Sequence, residues 1–354
     1  MPKTILIINT GNTSTKVGLY TDGMLDDATV IRHDDAELAR FTGINDQKEF
    51  RESLVLDYLK SHQLDAGVLA AVAARGGILR PMESGTYLVD ETMIRDLIEA
   101  RRGLHASHLS AQIGYSIAQK GGIDCYIVDP ITVDEFDPVA RISGHQAFSR
   151  EMRTHALNLK AVAKRFAKET LRRYTDLNLV VVHLGTGVSI SMHHKGRMVD
   201  AMDPCQEGAF SLDRAGGLPI LQVARYITKN RMEYDAFSRM VFGEGGVYSY
   251  LETRDFKQVT KRFHEHDEAA VKIVHALVYQ IAKEVGALST VVCGALDAIL
   301  LTGGMAYQEY FTDLIKQRVR FLAPVHCYPG EDEIQALAEG VFRILNNEER
   351  ALKY

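Results

Sequence analysis

At 354 residues the chain exceeds one typical core, so two domains are expected, and 46% apolar with 25% charged residues describe a soluble globular protein. A net charge of −5 without a long basic run argues against nucleic acid or anionic membrane as partners, and no apolar run reaches a membrane span. The N-terminus enters a strand without a signal-peptide layout, and Cys125, Cys205, Cys293 and Cys327 form no C-x-x-C pair, so a reducing cytoplasm with free thiols is expected.

The stretch Thr4–Tyr20 sets the pattern. An apolar run, 4–9, and a second strand-like run, 15–20, flank a turn, Thr10-Gly11-Asn12-Thr13-Ser14. Gly and Asn supply positive φ there. Strand–turn–strand fits better than a Walker A loop, which needs Gly-Lys-Ser/Thr opening a helix. Taken alone, the segment reads slightly better as a plain hairpin than as a site. Its hydroxyls, amides and backbone N–H groups also suit phosphate oxygens, with Lys16 adding positive charge.

A third strand is expected over 28–33 and helix-like spacing over 34–62. Residues 67–74 read as a buried strand running into Arg75-Gly76-Gly77, and ligands collect at such strand ends. Helices are expected over 91–102 and 107–120, then a strand, 124–129, ending in Asp129 before Pro130. Residues 130–150 look irregular, and a long amphipathic helix follows over 155–173. Residues 178–194 repeat the opening device around Gly185-Thr186-Gly187, with a short third strand at 197–201. This weak duplication seeds a second, related domain. A Gly-rich loop, 203–218, precedes helices over 219–241, 255–264 and 267–292. A last buried strand, 297–302, ends in Gly303-Gly304. Helices follow over 308–321 and from the acidic turn Glu331-Asp332-Glu333 to about Asn346.

One glycine turn is ordinary loop punctuation. Three, at Gly11, Gly185/Gly187 and Gly303/Gly304, are better explained by a nucleotide held in a cleft between domains. Phosphoryl transfer also needs a carboxylate for Mg²⁺, and Asp129 and Glu331 suit it, although Asp129 reads equally as a turn cap. Lys16, Arg75, His155 and Arg214 are the positive candidates. An arginine fork makes paired bonds to planar carboxylate or phosphoryl groups. His155 at a helix start also reads as a capping or packing residue. The pairs His105/His108, His193/His194 and His264/His266 lack metal-ligand patterns, and no nucleophile elbow is visible.

The set INTGNTSTK at 8–16, ARGG at 74–77, HLGTG at 183–187, DRAGGLP at 213–219, GEGG at 243–246, LTGG at 301–304 and YPGEDE at 328–333 resembles the butyrate kinases of the acetate kinase family, within the actin/hexokinase/Hsp70 superfamily. The resemblance spans nearly the whole chain in the family's motif order. It implies an α/β fold of two duplicated ribonuclease-H-like (actin-like ATPase) domains around a central cleft. The domains are drawn at 1–140 and 141–333, with a C-terminal helix, 334–354, returning to the first.

The implied reaction is ATP plus butanoate to ADP plus butanoyl phosphate, reversible, with Mg²⁺. Asn9, Gly11, Asn12, Ser14 and Lys16 match the first phosphate motif, and His183, Gly185, Thr186 and Gly187 the second. Gly303 and Gly304 match the adenosine motif, and Asp255, Phe256 and Lys257 a nucleotide-side motif. His155 matches the transition-state histidine, Arg214 the phosphoryl-binding arginine, Asp129 the catalytic aspartate and His105 a further active-site histidine. Glu331 falls closest to the metal-linked glutamate, with Asp332 and Glu333 one and two residues on. Arg75 stands three positions after the family's arginine, whose equivalent is Val72; it is assigned to the substrate carboxylate. Asn12 stands where Ser is usual, Thr186 for Asn or Gly, His108 for Asn and Lys257 for Arg. Ala74, Leu104 and Thr154 match the acyl pocket, two of them smaller than the family's Val and Phe, which favours butanoate over acetate. Isobutanoate, propionate and acetate remain alternative substrates. A non-catalytic ATP-binding switch and a sugar kinase are the competing classes. The family implies a homodimer or higher oligomer.

Overall fold

The computed structural model describes residues 2–203 and 205–354; Pro204, within the expected 203–218 loop, lies outside them. Its strands are β1 (Thr4–Thr10), β2 (Ser14–Thr21), β3 (Met24–Arg32), β4 (Ala71–Arg75), β5 (Thr86–Leu88), β6 (Asp124–Val128), β7 (Asn178–Leu184), β8 (Val188–His194), β9 (Arg197–Met202), β10 (Ala298–Gly303), β11 (Val325–Pro329) and β12 (Leu352–Lys353). Two compact units divide the chain: Met1–Val133 with Asp332–Tyr354, and Asp134–Glu331.

The first unit is a seven-stranded sheet in the order β12-β5-β6-β4-β1-β2-β3. β1 and β2 form the expected antiparallel hairpin, and β4 joins β1 in parallel. Ile5 to Ile8 are all fully buried because both sheet faces are covered. Leu6 and Ile8 meet Val72, Ala74 and the helix His108–Gly121 on one face. The helix Glu333–Leu345 packs on β1, β4 and β6.

The second unit is a five-stranded sheet in the order β11-β10-β7-β8-β9. Buried β7 and β10 run parallel at its centre. The helices Glu268–Ser289 and Glu309–Val319 supply much of the core on one side. The helix Ala156–Glu169 packs on β7 and β10. In both units an antiparallel three-strand meander continues, beyond its first strand, into parallel strands. The orders β3-β2-β1-β4-β6 and β9-β8-β7-β10-β11 are thus the same ribonuclease-H-like arrangement twice.

Several elements differ from the sequence reading. The helix expected over 219–241 is two, Ile220–Asn230 and Tyr234–Val241, because Arg231 turns left-handed at φ 47°. Strands β5, β11 and β12 were not foreseen. The units divide at 133/134 and 331/332, against the 140/141 and 333/334 drawn from the chain. The Asp137 N–H donates to the Val199 carbonyl, and Glu135 pairs with buried Lys160, which ties this segment to the second unit. Among the described residues no helix is long and apolar enough to cross a membrane.

Candidate active site

In the first unit the β1–β2 turn is anchored from below. Thr10 at the end of β1 donates its hydroxyl to the Ala106 carbonyl, and its N–H to Ser110 Oγ. The Gly11 N–H closes the turn on the Ser14 carbonyl at 2.8 Å, and neither Gly11 nor Asn12 takes the positive φ expected from the sequence. Asn12 and Thr13 lie exposed at its tip. Beneath them sits Arg51, fully buried on the helix Lys48–Ser61, donating to the carbonyls of Gly11, Asn12 and Ser14. Nothing in the sequence marks Arg51, which reads as one charged residue of a surface helix.

Asn9, Lys16 and Arg75 converge on one carboxylate, and it is that of Glu333. Asn9 Nδ2 donates to Glu333 Oε2 at 2.6 Å. Arg75 pairs with Oε1 at 3.0 Å, and Lys16 Nζ stands 3.9 Å from Oε2. Glu333 opens its helix, where the macrodipole favours a negative charge. Arg75 is therefore held by Glu333 and Asn9 rather than left to a substrate carboxylate. Glu331 belongs to the other unit: its Oε1 lies 3.1 Å from His183 Nε2. Glu333, within the acidic turn, thus meets Asn9 and Lys16 of the β1–β2 hairpin.

Asp129 sits just past β6 in the left-handed region, at φ 39°. Its Oδ1 accepts from Ser84 Oγ at 2.6 Å and the Gly85 N–H at 2.8 Å. No described residue donates to Oδ2. A non-glycine residue held at positive φ beside a strand end is a strained arrangement of the kind functional sites use. His105 shares its Nδ1 with Ser107 Oγ at 2.9 Å. His108 is a packing residue: its Nε2 accepts from the Ile78 N–H, and its Nδ1 donates to the Leu97 carbonyl. The acyl-pocket assignments divide. Ala74 is 0% exposed because β4 turns it into the core, whereas Leu104 is 47% exposed. Thr154, in the second unit, is buried beside Met198.

In the second unit the turn Gly185–Gly187 carries a histidine pair beneath it. His155 precedes the helix Ala156–Glu169 and stacks on His183, with ring centroids 4.0 Å apart and planes at 17°. Ser189 on β8 meets His155 Nδ1 at 2.8 Å, and Asn158 Oδ1 meets His183 Nδ1 at 2.8 Å. Both rings are thus oriented by neighbours the sequence did not single out. A Cβ on Gly185 would sit 2.7 Å from His183 Nε2, so any side chain there would have to push the ring aside.

Arg214 lies against the other side of this turn. A Cβ on Gly187 would overlap its Nη1 and come within 2.7 Å of its Cζ. The guanidinium stacks over the Phe242 ring at 4.7 Å. Its Nε is buried without a hydrogen-bond partner, and the nearest carboxylate, Asp213 Oδ1, stands 3.9 Å away. Burial pushes the Asp213 carboxyl up from the usual range, only partly offset by Arg214. None of the Arg214 donors is committed to another described residue.

Gly303, at φ 93°, ends β10 and exchanges backbone hydrogen bonds of 3.0 Å with Gly330. Its missing Cβ lets the Leu184 backbone approach; Gly304 opens on free space. Asp255 caps the helix Phe256–His264 by accepting from the Lys257 N–H at 2.9 Å. Phe256 is buried in the core, edge-on to Phe311 at 4.9 Å. Lys257 is exposed.

Residues 145–338 match the acetokinase family. Over 351 residues the chain is 45% identical to butyrate kinase 1 of Clostridium acetobutylicum, with 99% of both chains covered. The chain belongs to the acetokinase family. Its fold is shared with the acetate kinase of Porphyromonas gingivalis, at a TM-score of 0.78 and 17% identity over 97% of this chain and 100% of that one. A propionate kinase of Francisella tularensis aligns at a TM-score of 0.75 and 15% identity, over 96% and 98%. This acetokinase is a kinase, and its fold is that of these enzymes from end to end.

Proposed function

We propose that this acetokinase transfers the γ-phosphoryl group of ATP reversibly to butanoate, giving butanoyl phosphate. The observation that carries the reading is Arg214: a largely buried guanidinium, fitted against a glycine turn, with its donors uncommitted. A largely buried charge whose donors make no hydrogen bond is costly unless a ligand supplies acceptors. A phosphoryl group with three equatorial oxygens is such a ligand.

The substrate carboxylate is already ionised at neutral pH, so direct in-line attack needs no general base. The barrier lies in bringing two anions together, and positioning with electrostatic stabilisation lowers it. Arg214 neutralises charge on the transferring oxygens. His155, fixed by Ser189 and by its stack on His183, donates to them from a set orientation. In the first unit the Gly11–Ser14 turn and Lys16 receive phosphate. Glu333 holds Asn9, Arg75 and Lys16 in place. Gly303 and Gly304 accept the adenosine.

Asp129 fits Mg²⁺, because its second oxygen has no donor among the described residues and this ion needs only one or two carboxylates beside phosphate and water. When bound, the ion would neutralise phosphate charge. Butanoate is favoured by the 45% identity to a butyrate kinase. A hydroxylamine trap with ATP, Mg²⁺ and butanoate, isobutanoate, propionate and acetate tests the reading. Butanoyl hydroxamate should form fastest. No hydroxamate from any acid would remove the kinase reading, and a preference for acetate would remove butanoate.

A further inference from the structure

We propose that Arg51 is a positioning residue that builds the phosphate-holding face of the β1–β2 turn; the inference rests on that turn receiving phosphate, as argued above. Arg51 is 0% exposed and has no carboxylate partner among the described residues. All its acceptors are neutral oxygens. Nη1 donates to the Gly11 carbonyl at 2.8 Å, the Ser14 carbonyl at 3.0 Å and Thr15 Oγ1 at 3.3 Å. Nη2 donates to the Asn12 carbonyl at 2.9 Å and Gln47 Oε1 at 2.8 Å, and Nε to the same Oε1 at 3.1 Å. Burial lowers this guanidinium to about 10, which leaves it charged at neutral pH.

A structural arginine buried at this depth is ordinarily neutralised by an acid. Here the charge is kept, and the turn is arranged around it. A trans peptide unit points its carbonyl and its N–H in opposite directions. Drawing the Gly11 and Asn12 carbonyls inward therefore turns the N–H groups of Asn12 and Thr13 outward. Neither N–H donates to a described residue, and both residues are exposed. The next carbonyl, of Thr13, is drawn down by the His33 N–H at 2.9 Å. Two adjacent outward N–H groups over a buried cation form an anion nest. The ligand class is the phosphate chain of a nucleotide, and the turn's side chains are secondary to its backbone.

Calorimetry with Mg²⁺·ADP and with adenosine on the full chain tests this. Arg51→Met should weaken ADP roughly ten- to hundredfold, from the loss of charge-assisted bonds, and leave adenosine unchanged. Arg51→Lys should recover part of the ADP affinity by restoring the charge. Gln47→Leu removes the anchor of Nε and Nη2 without touching the turn; it should weaken ADP severalfold, and it carries the test if Arg51→Met does not fold. Unchanged ADP affinity in a folded Arg51→Met or Gln47→Leu protein overturns the proposal. So does an equal loss for ADP and adenosine, which would make Arg51 merely structural, or a parent protein that binds no ADP. A protein that binds ADP with this pattern but traps no hydroxamate would overturn the kinase reading alone.

Discussion

Gly187→Ala separates the position of Arg214 from the stability of the fold. The added Cβ would overlap Arg214 Nη1 and lie 2.7 Å from Cζ, where an ordinary carbon contact needs about 3.5 Å. The guanidinium must therefore retreat by roughly 1 Å. Its retreat is easy, because the obstructing group is the far end of a flexible side chain and Nε has no hydrogen bond to lose. The melting temperature should fall little, within about 1 kcal/mol of stability. Catalysis is less forgiving: a misplacement of about 1 Å can lose on the order of a hundredfold in rate. Gly303→Ala is the contrasting control. There the Cβ meets the backbone of Leu184 at a φ of 93°, so stability itself should suffer. The assay is the hydroxamate rate with saturating butanoate, beside thermal melting and ADP binding. A Gly187→Ala enzyme with the parent's kcat would refute the role given to Arg214.

Four further outcomes are expected. Glu333→Gln strips the charge that holds Arg75 and should cost about 1–3 kcal/mol of stability along with activity; in a double-mutant cycle with Arg75→Met, additive losses would count against the pair. Arg214→Ala should lose nearly all turnover while nucleotide binding survives, and retained turnover would remove it from the mechanism. Asn12→Ala should change ATP kinetics by no more than about threefold, since Asn12 meets the turn through its carbonyl and its amide bonds to no described residue; a large rise in KM would restore the side chain as a phosphate contact. Burial holds the imidazoles of His33, His108 and His193 below their usual 6.5, so below that pH the unfolded chain binds more protons than the folded one. Stability should therefore drop as pH falls from about 7 towards 5, and a flat urea midpoint across that window would contradict it.

The central strands were legible because they are long and apolar. Leu179–Leu184 and Ala298–Leu301 are buried on both faces, and each ends in a glycine turn that punctuates the sequence. Strands of two or three residues, such as Leu352–Lys353 and Thr86–Leu88, carry no periodicity to read. The break at Arg231 escaped notice because a non-glycine residue adopts the left-handed cap. Within the candidate site, motif residues were found at their turns, but the groups that orient them were not. Arg51, Ser84, Asn158 and Ser189 act through contacts 25 or more residues away in sequence, which spacing cannot reveal. That Asn9 meets Glu333, two residues on from Glu331, follows from the packing of one helix on β1, which spacing in the sequence does not show.

Glu333 also gives the chain a timetable. The second unit is an uninterrupted run of residues, whereas the first is completed only by Asp332–Tyr354. During synthesis at roughly 5–20 residues per second, the second unit has all its strands before the first can receive its last helix. Until then Asn9 and Arg75 lack their shared carboxylate, and β1 lacks its cover on one face. A nascent chain released before residue 333 would thus carry a complete second sheet and a first sheet with exposed apolar strands. Quality control that senses such surface reads, in effect, whether the last helix has arrived.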